Sequence, residues 1–307
     1  MIVLKFGGTS VGSVESLRSV VEIVRSRMNK APIVVVSALS KVTDLLYKIC
    51  EKEESFEDDL KALRLRHHSF IEEYFAESPQ TVLQLKSEID TYVNSITDIC
   101  IQPEFSYRDK AAVISCGELM SSLIACTALN KGGVPTSRID ARQFMFCNGD
   151  PLKSSPDMSM INHHTPALIA RHRMLNPDSK VIITQGFICA TISGKPAVLG
   201  RGGSDYSASI IAWALNADAV EIWTDVNGIR DADPRYVENT HCLPLLSYDQ
   251  ADAIVKAGAK VLHPLTLEPA RMRNIPVYVL NTYNPEGEYT LILPEDHKLL
   301  KRYESCN

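Results

Sequence analysis

The sequence predicts an α/β fold with a mainly parallel central sheet sandwiched by helices, on three observations. Short runs rich in β-branched residues recur at 33–36, 181–184, 219–224 and 277–280. They alternate with stretches of helical periodicity, the pattern of a parallel sheet covered on both faces. Polar loops at 37–43, 201–205 and 224–235 each follow such a run, which is where ligands bind in sheets of this kind. The design of a glycine-rich turn feeding a helix occurs twice, at Gly7-Gly8 and at residues 200–205.

The elements follow in chain order. Residues 1–6 read as an apolar strand interrupted by Lys5, broken by Gly7 and Gly8. Val14, Leu17, Val20, Val21 and Val24 then recur at helical spacing, giving an amphipathic helix to about residue 28. After the strand at 33–36, Lys41 opens the next helix. From 51 to 101 charge and helical periodicity dominate, and two antiparallel helices are expected as an excursion from the sheet. A solvated structural arm and a lid or dimer arm stand as equal alternatives for it. Residues 111–130 form a long apolar helix ended by Gly132 and Gly133, before a strand at 134–139. Residues 142–158 read as loop and 160–171 as helix. The strand at 181–184 leads into a hairpin around Ser193, Gly194 and Lys195, then the second glycine turn and a helix at 208–215. Helices near 249–256 and 265–272, strands at 277–280 and 289–293, and a polar tail complete the chain.

At 307 residues the chain can bury a large core. With 45% hydrophobic and 22% charged residues it has ordinary globular composition. A net charge of -5 argues against nucleic acid as a partner, since that calls for a basic stripe. The eight cysteines are dispersed, without a C-x-x-C pair or metal-ligand rhythm, and read as reduced cytoplasmic thiols. No signal peptide is visible and no apolar run reads as membrane-spanning, so no membrane partner is expected. His67, His68, His163 and His164 read as surface or capping residues, and His263 as a packing one.

The chemistry is concentrated in the polar loops. Glycines let the backbone approach an anion closely, and Lys5 adds a mobile positive charge beside the first turn. The pattern is neither the P-loop nor G-x-G-x-x-G. Two such turns with Lys5, Arg201 and Lys260 suggest a polyphosphate, or a phosphate facing a carboxylate. Asp205 could orient Lys5, help hold Mg²⁺ near phosphate oxygens, or simply cap its helix. Arg201 could clamp a substrate carboxylate or make a helix-cap salt bridge. Glu118, among apolar neighbours, needs a partner: a substrate ammonium or an internal cation. Asp225, Asp233 and Arg235 fit either a site or an ordinary charged turn.

The segment from Lys5 to Gly12 resembles the signature of aspartokinases, in the amino-acid kinase superfamily. The likeness extends to Ser37 through Leu46, Ser115 through Glu118, Gln185 through Phe187, Arg201 through Asp205, Glu221 through Arg235 and Gly258 through Pro264. These segments stand in family order over nearly the whole chain. The resemblance implies an amino-acid kinase-like fold and transfer of the ATP γ-phosphoryl group to the β-carboxylate of L-aspartate. The product is 4-phospho-L-aspartate, the first step towards lysine, threonine and methionine. By motif, Lys5, Gly7 and Gly8 meet the transferring phosphoryl group and Asp205 organises the lysine. Ser37, Thr43, Glu118, Arg201 and Ser204 bind aspartate. Thr224, Asp225, Arg230, Asp233, Arg235 and Lys260 line the ATP site, with Mg²⁺ held mainly by the phosphates rather than by a protein metal site. Family members often carry an aromatic residue at the position of Arg230. One catalytic domain is expected over 1–307, with an amino-acid lobe to about 200 and a nucleotide lobe beyond. ACT domains, common in the family, are not expected here, nor inhibition by lysine or threonine through them. A homodimer is a further expectation. The alternatives are a kinase for another acidic amino acid, or a nucleotide- or amino-acid-sensing module of the same fold.

Overall fold

The computed structural model describes residues 1–200, 202–232, 237, 240–257 and 262–306, with 304–306 as backbone. One eight-stranded sheet organises it. In chain order its strands are β1 (Ile2–Phe6), β2 (Ile33–Val36), β3 (Thr136–Arg138), β6 (Val181–Gln185), β9 (Ala219–Thr224), β10 (Leu245–Ser247), β11 (Val277–Asn281) and β12 (Thr290–Leu293). Across the sheet the order is β10-β12-β11-β9-β1-β2-β6-β3. Pairing is parallel except at β11–β12, which is antiparallel. Every residue of β1, β2 and β6 is buried, the signature of strands covered on both faces. Two short pairs stand apart, β4 (Cys147–Asn148) with β5 (Ser155–Pro156), and β7 (Ile188–Ala190) with β8 (Pro196–Val198). The strands of both expected lobes join this one sheet, and their side chains belong to one apolar cluster.

The helices are α1 (Gly8–Val11), α2 (Val14–Ser26), α3 (Val42–Glu51), α4 (Phe56–Tyr74), α5 (Pro79–Cys100), α6 (Tyr107–Lys131), α7 (Met158–Leu175), α8 (Gly203–Leu215), α9 (Tyr248–Lys256), α10 (Leu267–Met272) and α11 (Lys298–Cys306). The stretch 51–101 is the expected helical pair, α4 and α5. It is not a free arm: Leu63, Ile71, Ile89 and Ile96 are fully buried in the common core. It packs on α3, α2 and α6. Helix α6 starts at a reciprocal capping box between Ser106 and Asp109. It is long and apolar enough to cross a membrane, contrary to the reading of the sequence, but 83% of its most apolar window is buried inside the fold. It is the core helix beneath the site.

Other departures have local causes. Helix α1 lies where a bare glycine turn was expected, the short strand β10 precedes α9 where no strand was expected, and the polar tail forms α11, whose Leu300 is buried. His67 is not at the surface. It is fully buried, its Nδ1 lies 2.8 Å from the Leu63 carbonyl oxygen, and burial lowers its pKa to about 4. His68 faces Asp90 at 3.1 Å, and His163 and His164 pack edge to face within α7.

Candidate active site

Strand β1 lies between β2 and β9, the point at which chain order turns from one side of the sheet to the other. A crevice opens at the carboxyl ends of the strands at such a point. Here a cavity of about 440 Å³ is lined by Lys5 from β1, Gly8 from the start of α1, Ser37 from the β2–α3 connection, Thr43 from the first turn of α3, and Glu118 from α6. Ser204 and Asp205, at the start of α8, complete the wall. Six of these seven sit in or beside the polar loops and turns expected to bind ligand; Glu118 rises from the core helix.

Lys5 is held in the sheet between Val35 of β2 and Ile222 of β9, so its backbone has little freedom. Its Nζ forms an ion pair with Asp205 Oδ1 at 2.5 Å, and both side chains are largely buried. Gly7 joins the same corner, its N–H donating to the Trp223 carbonyl at the end of β9 (3.3 Å). The Gly8 carbonyl accepts from Ser40 N–H (3.1 Å), which ties the first turn to the loop after β2. Opposite, the end of β6 meets the start of α8 so closely that a Cβ on Gly186 would lie 2.6 Å from the Ser204 Cβ. This contact explains the glycine after Gln185.

Glu118 has no ion pair among the described residues. Its Oε1 accepts from the Ala38 N–H (3.2 Å), while Oε2 is buried without a hydrogen-bond partner. Burial pushes its pKa up to about 8, against the opposing pull of the Ala38 N–H. A carboxylate with one oxygen satisfied and the other vacant in a cavity wall is suited to an incoming ammonium.

On the other flank, Thr224 and Asp225 follow β9, Thr224 donating from Oγ1 to Asp225 Oδ1 (3.2 Å). Asp225 is exposed; neither residue lines the cavity. Arg230 is engaged by its own loop and by the β11–β12 connection: Nε donates to Thr240 Oγ1 (2.6 Å) and Nη1 faces Glu288 at 3.8 Å. Arg201, Asp233, Arg235 and Lys260 lie outside the described residues. His263 packs against Gly202 and its Nδ1 accepts from the Leu265 N–H (3.3 Å). No group of three metal-ligating side chains occurs among the described residues.

The cavity also includes Thr9, Ser40, Lys41, Tyr47 and Phe187. Ser40 and Lys41 lie in the polar loop singled out from the sequence, and Tyr47 is one helical turn beyond Thr43, so spacing could have found them. Phe187 falls in the segment Gln185 through Phe187 that carries the resemblance, but no role is assigned to it there. Its φ of 66° is rare for a bulky side chain. The conformation is held by Ser207 Oγ, which accepts from the Phe187 N–H (2.9 Å), and by Leu199 N–H, which donates to the Phe187 carbonyl (2.9 Å).

Comparison with known proteins agrees with this geometry. The profile described as "Amino acid kinase family" matches residues 1–281. An aspartokinase of Chlamydia trachomatis is 34% identical over 292 residues, covering 95% of this chain and 64% of that protein. Lysine-sensitive aspartokinase 3 of Escherichia coli is 33% identical over 296 residues, with 95% and 64% covered. The chain thus spans somewhat under two thirds of these curated relatives. Among solved structures, E. coli aspartokinase III in complex with aspartate and ADP superposes with a TM-score of 0.83 at 31% identity, over 97% of this chain and 65% of that one. A UMP kinase from Ureaplasma parvum, 14% identical with a TM-score of 0.51 over 95% and 97%, shares the fold alone.

Proposed function

Because the chain belongs to the amino acid kinase family, we propose that it is an aspartate kinase, transferring the γ-phosphoryl group of ATP to the β-carboxylate of L-aspartate. The observation that carries this reading is that Lys5, Asp205 and Glu118, from three remote segments, line one cavity at the carboxyl ends of the strands. The similarity to proteins named aspartokinases supports it. Phosphoryl transfer requires positioning and charge neutralisation more than covalent participation by the protein. An ionised carboxylate acceptor needs no general base. One of its oxygens attacks the γ-phosphorus as the bond to the ADP oxygen breaks, and Lys5 offsets the charge on the transferring group. Asp205 sets the position of Lys5.

In this reading Glu118 Oε2 receives the substrate ammonium, and Ser37, Thr43 and Ser204 hold the remainder of the amino acid. Arg201 is assigned to the α-carboxylate by the motif. Thr224, Asp225 and Arg230, with Asp233, Arg235 and Lys260, belong to the nucleotide side. Residues to about 200 thus serve mainly the amino acid and later ones mainly ATP. Mg²⁺ would arrive on the nucleotide phosphates, with Asp205 the carboxylate in the cavity wall suited to support it. A cytoplasmic, homodimeric enzyme is part of the same proposal. The test is acyl-phosphate formation, trapped with hydroxylamine, from ATP, Mg²⁺ and aspartate, glutamate or acetylglutamate. Trapped product with aspartate alone is the expected result. Product from another acid would move the acceptor assignment, and none from any would leave a binding module.

A further inference from the structure

Helix α1 is made of Gly8, Thr9, Ser10 and Val11, a sequence of weak helix propensity overall. A helix this short leaves nearly all its carbonyls without internal partners, and outside donors meet three of the carbonyls at and beside it. Ser40 N–H donates to the Gly8 carbonyl (3.1 Å) and Tyr283 Oη to that of Thr9 (3.0 Å). The third, on Gly12 at the carboxyl cap, accepts from Arg66 Nη2 at 2.5 Å. Arg66 comes from α4, in the helical excursion, fifty-odd residues along the chain. It has no carboxylate partner among the described residues, and its guanidinium lies 6.0 Å from the Phe70 ring. A cation on a carbonyl gives a charge-assisted hydrogen bond, stronger and more directional than a neutral one. The junction it holds is tight, since a Cβ on Gly12 would lie 2.6 Å from the Gly8 carbonyl oxygen. Gly8 and Thr9 in turn line the cavity.

We propose that Arg66 is a positioning residue for phosphoryl transfer, fixing from outside the sheet the first turn against which the phosphoryl group is transferred. The inference rests on the kinase reading. It gives the helical excursion a part in the chemistry without placing it over the substrate, and it predicts an effect on turnover rather than on amino-acid binding. Small displacements of reacting groups cost about 10²-fold in rate.

The experiment compares the parent with Arg66→Met, Arg66→Lys and Arg64→Met. Arg64 lies on the same helix but bonds Asp90 of α5 (2.9 Å), so its variant controls for general loosening of the helical pair. In the hydroxamate assay with aspartate, Arg66→Met is expected to lower kcat about 10- to 100-fold. KM for aspartate should change less than about threefold. Arg66→Lys should recover part of the loss, and Arg64→Met should match the parent. Amide exchange across residues 7–13 should quicken in Arg66→Met, with residues 14–26 unchanged. A parental kcat in Arg66→Met, an equal loss in Arg64→Met, or a loss expressed wholly in KM would overturn the inference. If Arg66→Met does not fold, Arg66→Lys carries the comparison: unchanged turnover and exchange there overturn it, and a smaller kcat loss with quicker exchange supports it. An inactive parent would refute the kinase reading alone, because exchange at residues 7–13 still reports on Arg66.

Discussion

Lys5 Nζ and Asp205 Oδ1 lie 2.5 Å apart, although one belongs to the first strand and the other to the first turn of α8. The pair brings the two glycine-rich turns to a common point, and neither turn alone encloses a site. If Asp205 acts by placing Lys5, the two side chains work as a unit. Lys5→Met and Asp205→Asn are each expected to lower kcat about 10²- to 10³-fold. The double variant should fall little below the worse single one. A double-mutant cycle on trapped product measures this, and fully multiplicative losses would show independent roles.

Glu118 makes stability depend on pH. Its folded pKa, about 8, lies above its ordinary 4.5, so over that interval the folded chain holds a proton the unfolded chain has released. Its contribution is full below the lower value and is lost as pH rises through the upper one, at up to about 1.4 kcal/mol per pH unit. Urea midpoints of the ligand-free protein should therefore fall between pH 6 and 9 through this group, and the decline should be shallower in Glu118→Gln. Identical slopes would mean that Glu118 is already ionised at pH 6.

Gly186→Ala is expected to damage the site from behind. The new methyl would press on Ser204 at 2.6 Å, against both its side chain and its Cα, and displace the start of α8. Overpacking of this kind costs roughly 1–3 kcal/mol, and the shift of Ser204 and Asp205 should lower turnover about tenfold or more. Thermal melting and the trapping assay read the two effects separately.

Leu63→Ala tests whether the helical pair is structural core. Leu63 is fully buried, and truncating such a side chain costs about 2–5 kcal/mol. Denaturant titration should show one cooperative transition with a lower midpoint. A separate early transition would identify α4 and α5 as an independently stable arm.

The sheet was legible because its central strands are buried on both faces and therefore nearly continuous apolar runs; Val181 through Thr184 and Val277 through Leu280 could scarcely be read otherwise. The turn at Gly7 and the placing of Ser204 and Asp205 in the first turn of α8 were legible from glycine placement, although the cap itself is Gly202. Helix α1 was not, because its stability comes from Ser40, Tyr283 and Arg66, donors the local sequence does not reveal. Burial of His67 escaped notice because a histidine at a helical core position has no distinguishing neighbour. For the site, the chemistry of Lys5, Asp205 and Glu118 could be suggested from residue type, whereas their meeting in one cavity depends on strand order. Phe187 shows the limit most clearly: its backbone is dictated by contacts from Leu199 and Ser207, across a hairpin and a helix.

The position of β1, flanked by β2 on one side and β9 on the other, has a consequence for how such a protein can change. On the proposed reading, the acceptor is handled by loops after β2 and by α6, and the donor by segments after β9, with Lys5 at the seam. Substitutions around Thr43 or Glu118 can then retarget the recipient of the phosphoryl group without rebuilding the machinery that delivers it. A swap of the 37–47 loop between homologues is the natural unit for such an exchange.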